Sequence, residues 1–177
     1  LLPLYERRVR LAPQEMDYGL AFAEALWEAG QEDRARLELE RLSHHTPATL
    51  AQSRRLAYLA LETESEDLTL PLLERLAQID TPAAPWWTQA GYLSLNRGDK
   101  TRAEYYFQQA FAADPHSGEL SRVLGAMAWS RQDSAAARAY WDAHLRDHPE
   151  DREPPGRTHT GGFANRQSAV RAPQVLP

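Results

Sequence analysis

The chain has 177 residues, a formal charge of −5 and no cysteine, which excludes disulfides, thiol nucleophiles and cysteine-held metals. It contains no uninterrupted run of about 18 apolar residues, so no membrane insertion by this fragment is expected. Residues 16–151 carry 13 Lys plus Arg against 22 Asp plus Glu, a formal −9, which opposes phosphate neutralisation and excludes nucleic acid as a partner.

Helix formers dominate and β-branched residues never cluster, so the expected class is all-α. Residues 1–15 place Leu1, Leu4, Tyr5, Val9 and Leu11 on one apolar helical face. Because the chain has no initial Met, it reads as a piece of a longer protein, opening on the second helix of a truncated repeat. Four copies of a 34-residue unit follow, at 16–49, 50–83, 84–117 and 118–151. The third shows the pattern best. Its first helix spaces Trp87, Ala90, Gly91, Ser94 and Leu95 as one buried stripe, with Gly91 admitting a close partner. Gly98 suits left-handed backbone at the helix end and Asp99 suits the cap of the next helix. That helix carries Ala103, Phe107, Ala110 and Phe111 on one face, and Pro115 stops it.

The same positions recur at the same period. The fourth copy has Leu124, Gly125, Ala137, Trp141 and Pro149; the first has Ala23, Leu26, Gly30, Ala35, Leu39, Leu42 and Pro47. The second copy, with Leu56, Ala57, Leu73 and Leu76, is irregular. Glu64 stands at the turn glycine, Thr69 at the small residue, and Pro82 falls one place late. Pro71 predicts that its second helix begins near Thr69, or holds Pro71 within its first turn. From 152 to 177 the sequence becomes a Pro/Gly-rich basic tail or linker, with Phe163, Val170, Val175 and Leu176 as candidate anchors.

The period and the residues Trp87, Gly91, Gly98, Ala103, Phe107, Ala110 and Pro115 resemble the tetratricopeptide repeat. That resemblance implies a right-handed α-solenoid whose first helices line a concave groove. It implies partner-binding residues at Glu24, Trp27, Glu28, Arg54, Tyr58, Thr88, Tyr92, Asn96, Arg122 and Trp129. Aromatic residues beside a few polar groups suit a peptide, a helix or a sugar, whereas the same aromatics at helical spacing also suit packing between repeats. The Lys/Asn/Arg clamp by which some relatives hold a peptide carboxylate is missing, because Glu24, Tyr58 and Tyr92 occupy the ninth position of their repeats.

Chemistry finds no foothold. His144 and His148 share a helix face, but a zinc site needs a third ligand that is not evident nearby. No nucleophile motif or phosphate cradle occurs, so no enzyme activity, catalytic residue, cofactor or metal is expected. The expected function is a scaffold binding another protein or peptide segment, with direct binding of a polysaccharide as the alternative. An uninterrupted array followed by a flexible tail also resembles the periplasmic repeat regions of bacterial exopolysaccharide-secretion proteins. That resemblance implies recruitment of a modifying enzyme, and a periplasmic rather than a cytoplasmic location.

Overall fold

A computed structural model describes residues 1–149 and 151, so the expected tail and its anchors Phe163, Val170, Val175 and Leu176 lie outside the described residues. The described residues form helices and no strands. They are α1 (Leu2–Leu11), α2 (Met16–Glu28), α3 (Glu32–Ser43), α4 (Leu50–Glu62), α5 (Glu66–Ile79), α6 (Ala84–Asn96), α7 (Lys100–Ala113), α8 (Gly118–Ser130) and α9 (Ser134–Asp147). Each helix packs on the next in sequence, and beyond these neighbours only α2 with α4 and α3 with α5 bring their backbones close. Such near-neighbour contact makes the architecture an α-solenoid.

Four turns join the paired helices, and all four use one solution. Gly30, Glu64, Gly98 and Gln132 have φ of 71°, 51°, 77° and 64°. The residue after each sends its backbone N–H to a helix carbonyl five places back: Gln31 to Leu26, Ser65 to Ala60, Asp99 to Ser94 and Asp133 to Ala128, at 2.9–3.0 Å. This satisfies carbonyls that the helix end would leave bare. Side-chain caps begin several of the following helices. Asp99 accepts from Arg102 N at 3.0 Å, and Asp133 accepts from Ala136 N at 3.0 Å. Thr49 and Ser117 cap α4 and α8 in the same way.

The close approach expected at Gly91 is real. A Cβ there would lie 2.7 Å from the Phe107 ring of the paired helix α7. Gly125 meets the Trp141 ring of α9 equivalently. The core of the described residues falls into three clusters and changes character along the stack. Leu20, Leu39, Leu42, Leu56, Leu73 and Leu76 fill its first half, whereas Tyr106, Phe107 and their aromatic neighbours fill the second.

Three expectations need correction. Helix α5 starts at Glu66, so Pro71 is its sixth residue and lies beyond the first turn. Proline offers no N–H to the Asp67 carbonyl. Asp67 and Pro71 are both exposed, so this gap falls on the solvent side. In α6 the more deeply buried tryptophan is Trp86, 7% exposed, whereas Trp87 is half-buried and stacks on Tyr106 with centroids 5.9 Å apart. In α1 only Leu2, Tyr5 and Val9 pack inward, against Phe22, Leu26 and Ala35; Leu1, Leu4 and Leu11 are exposed.

Candidate partner-binding surface

The first helices α2, α4, α6 and α8 carry the ten residues expected to face a ligand, and the helices repeat in register because the turns between them do. These side chains fall into two groups. The first group links one repeat to another or packs into the core. Glu24 receives two hydrogen bonds from the guanidinium of Arg55 on α4, the Nε one at 2.5 Å. Arg54 grips Asp80 at the end of α5 through Nε at 2.7 Å and a second nitrogen at 2.5 Å. Tyr58 packs on Trp86 with centroids 5.5 Å apart. Tyr92 donates to Glu119 on α8 at 2.5 Å and sets its ring edge against Phe107. Trp27 is half-buried against the cluster of Phe22, Leu26 and Ala35, and the Thr88 hydroxyl donates to the Ala84 carbonyl at 2.8 Å. The second group is solvent-facing: Glu28, Asn96, Arg122 and Trp129, the last 61% exposed.

The electrostatics follow from these contacts. The Arg54 guanidinium holds the Asp80 carboxyl below its usual range, and the Trp86 indole N–H, 2.9 Å away, adds to the effect. Asp80 itself is buried. Burial and the hydrogen bond to Glu119 push the Tyr92 hydroxyl upward, so it stays a donor at neutral pH. Tyr106, buried and bonded to Glu74, is pushed up to about 12.

Sequence reasoning placed Arg54 on the surface but missed its partner Asp80, and it missed Arg55 entirely. An aspartate ending a helix gives no local sign that an arginine 26 residues earlier will meet it. The expected histidine pair does come together. The His144 and His148 ring centroids lie 5.1 Å apart with the planes tilted by 31°, and the His144 ring bonds Asp151 at 3.1 Å. Among the described residues there is no group of three side chains arranged to hold a metal.

The surface therefore offers a carboxylate on α2, an amide on α6, and a guanidinium and an exposed indole on α8, beside side chains that bond or pack between helices. It can form hydrogen bonds, ion pairs and ring contacts along an extended partner.

Comparison with solved structures defines the class. The crystal structure of MamA is similar over 84% of this chain and 87% of that one, with a TM-score of 0.58 and 13% identity. A MamA structure from Desulfovibrio magneticus RS-1, starting at residue 41, matches over 86% of each chain at a TM-score of 0.54 and 19% identity. YrrB, described as a TPR protein with an unusual peptide-binding site, matches over 85% of this chain and 77% of that one at 0.57 and 16%. The fold is thus an α-solenoid of the tetratricopeptide type. No protein-family model and no curated protein sequence matches the chain.

Proposed function

We propose that the chain is a non-enzymatic scaffold that docks a partner protein or peptide along α2, α4, α6 and α8, through Glu24, Trp27, Glu28, Arg54, Tyr58, Thr88, Tyr92, Asn96, Arg122 and Trp129. The observation that carries this reading is the separation of roles on that surface. Glu24, Arg54, Tyr58 and Tyr92 brace neighbouring helices, while Glu28, Asn96, Arg122 and Trp129 are solvent-facing. A braced layer presents the open groups without the ordering cost that loose side chains would incur on binding. YrrB, whose structure is described as having a peptide-binding site, shares the fold and supports this choice of class.

A polysaccharide ligand would use an aromatic platform. The surface exposes Trp129 but uses Tyr58 and Tyr92 for packing, so the protein reading is preferred. Recruitment of an enzyme in exopolysaccharide secretion, with its periplasmic setting, rests on the likeness of the repeats alone.

A photo-crosslinker placed at Arg122 tests the reading. It should capture a protein chain in cells, while one at Arg138 on α9 should not. Equal capture at both sites, or Trp129 fluorescence quenched by oligosaccharides with no protein captured, would overturn it.

A further inference from the structure

The seam where α9 ends beside the start of α8 holds two imidazoles that the partner-binding surface does not use. His144 lies in the last turn of α9 and His148 caps that helix, its backbone N–H donating to the His144 carbonyl at 2.8 Å. Gly118, the first residue of α8, faces both rings. A Cβ built there would lie 2.7 Å from His148 Nε2 and 3.0 Å from His144 Nδ1. The two nitrogens therefore converge on one spot, and the glycine keeps that spot clear of side chain.

The chemistry of the spot follows from the His144 tautomer. His144 is 7% exposed, and its Nδ1 is buried with no hydrogen-bond partner among the described residues. Its Nε2 lies 3.1 Å from the Asp151 carboxylate, which at neutral pH can only accept, so Nε2 carries the proton. Nδ1 is left with a lone pair directed at the gap beside Gly118. A buried acceptor without a donor is uncommon in a folded chain, and an ion is one way to satisfy it. Donation of the second ring N–H to a carboxylate is also how proteins orient a metal-ligating histidine. Two histidines four residues apart on a helix are a spacing by which one face holds zinc. Asp151 and the carbonyl end of α9 favour a cation there, against the opposing N-terminus of α8.

We propose that His144 Nδ1 and His148 Nε2 form a two-histidine site for a borderline divalent metal ion of the zinc class. Asp151 is a positioning residue that holds the His144 ring, and Gly118 supplies the room. Imidazole nitrogen suits this class of ion and not a hard cation such as magnesium. No third side chain among the described residues joins the pair, so solvent completes the coordination sphere and the site stays open, unlike a closed structural zinc centre. A bound ion would clip the last turn of α9 and stabilise the fourth repeat. The site does not rest on the partner-binding reading, because none of the ten residues of that surface belongs to it.

The test titrates the full isotope-labelled chain with Zn²⁺, with Mg²⁺ as the control, and follows the histidine ring-nitrogen resonances. His144 Nδ1 and His148 Nε2 should shift on addition of Zn²⁺ while those of His44 and His45 stay in place. The thermal midpoint of the helical circular dichroism should rise. Gly118→Ala, which sets a methyl group at the spot, and His148→Ala should each weaken binding by roughly tenfold or more with the helical signal unchanged. Asp151→Ala should weaken it by about tenfold, the usual scale for losing the carboxylate behind a ligating histidine. His44→Ala should leave the affinity unaltered. Shifts centred on His44 and His45, an equal response to Mg²⁺, full affinity in Gly118→Ala and His148→Ala, or no ring-nitrogen shift at millimolar Zn²⁺ would each overturn the proposal.

Discussion

The second and third repeats follow one backbone with different side chains. At the turn, Glu64 takes the left-handed conformation that Gly98 takes, at φ 51° against 77°. Where the third repeat has Ala103 inside its second helix, the second has Thr69, equally buried, with its hydroxyl returned to the Ser65 carbonyl at 2.9 Å. Thr63, also buried, donates to the Leu59 carbonyl at 2.8 Å and meets the Ser65 hydroxyl at the same distance. The consensus residues are therefore one way to satisfy the backbone. Hydroxyls that fold back onto helix carbonyls are another, because they place a polar group inside without leaving it unpaired. The two repeats are then joined by Asp80, which receives Arg54 from one side and Trp86 from the other.

The largest effect should come from the joint. Trp86→Ala removes a buried aromatic and should cost about 3–5 kcal/mol in chemical denaturation. Trp87→Ala should cost roughly 1–2 kcal/mol, because that ring is only half-buried. Equal losses would mean that the two indoles are placed otherwise. Next comes Gly91→Val. Its side chain would meet Phe107, and the repacking should cost about 1–3 kcal/mol, whereas Ala57, at the same position in the second repeat, accommodates a Cβ.

Asp80→Ala leaves the buried Trp86 N–H without its acceptor and should cost about 1–3 kcal/mol. The same residue gives a pH dependence with a definite sign. Its folded pKa lies below the unfolded value of about 4, so its contribution is present above that value and is lost as pH falls through the folded one. Acid titration of Asp80→Asn should therefore show a shallower loss of stability than the parent chain. The smallest effect sharpens the turn comparison. Glu64→Gly should stabilise by about 0.5–1 kcal/mol by relieving a left-handed non-glycine, and Gly98→Ala should destabilise by a similar amount. A loss of stability in Glu64→Gly would show that the Glu64 side chain does more than occupy the turn.

Much of this fold is legible in the sequence because its determinants are local. The turn at Gly98, the cap at Asp99 and the approach at Gly91 each follow from a residue's own backbone or size. What escaped depends on partners far away in the chain. Trp86 and Trp87 are adjacent, and their different partners, Asp80 and Tyr58 for the first and Tyr106 for the second, lie elsewhere in the chain. Pro71 was expected to delay α5, yet the buried Leu70, Leu72 and Leu73 on either side keep the helix seated while the proline faces water. The surface residues were legible as positions but not as roles. Whether Tyr58 or Arg54 braces a neighbour or awaits a ligand depends on the residue opposite, one repeat on.

The stacking of repeats in order is the claim on which everything else depends, and the absence of cysteine makes it directly measurable. Glu28, Glu62, Asn96 and Ser130 are exposed and stand 34 residues apart, so pairs of spin labels can be introduced at chosen repeats. Electron–electron resonance distances should lengthen in the order 28–62, 28–96, 28–130, starting from the roughly 10 Å backbone spacing of the packed pair α2 and α4. A 28–130 distance no longer than 28–62 would mean a closed bundle and would contradict the account.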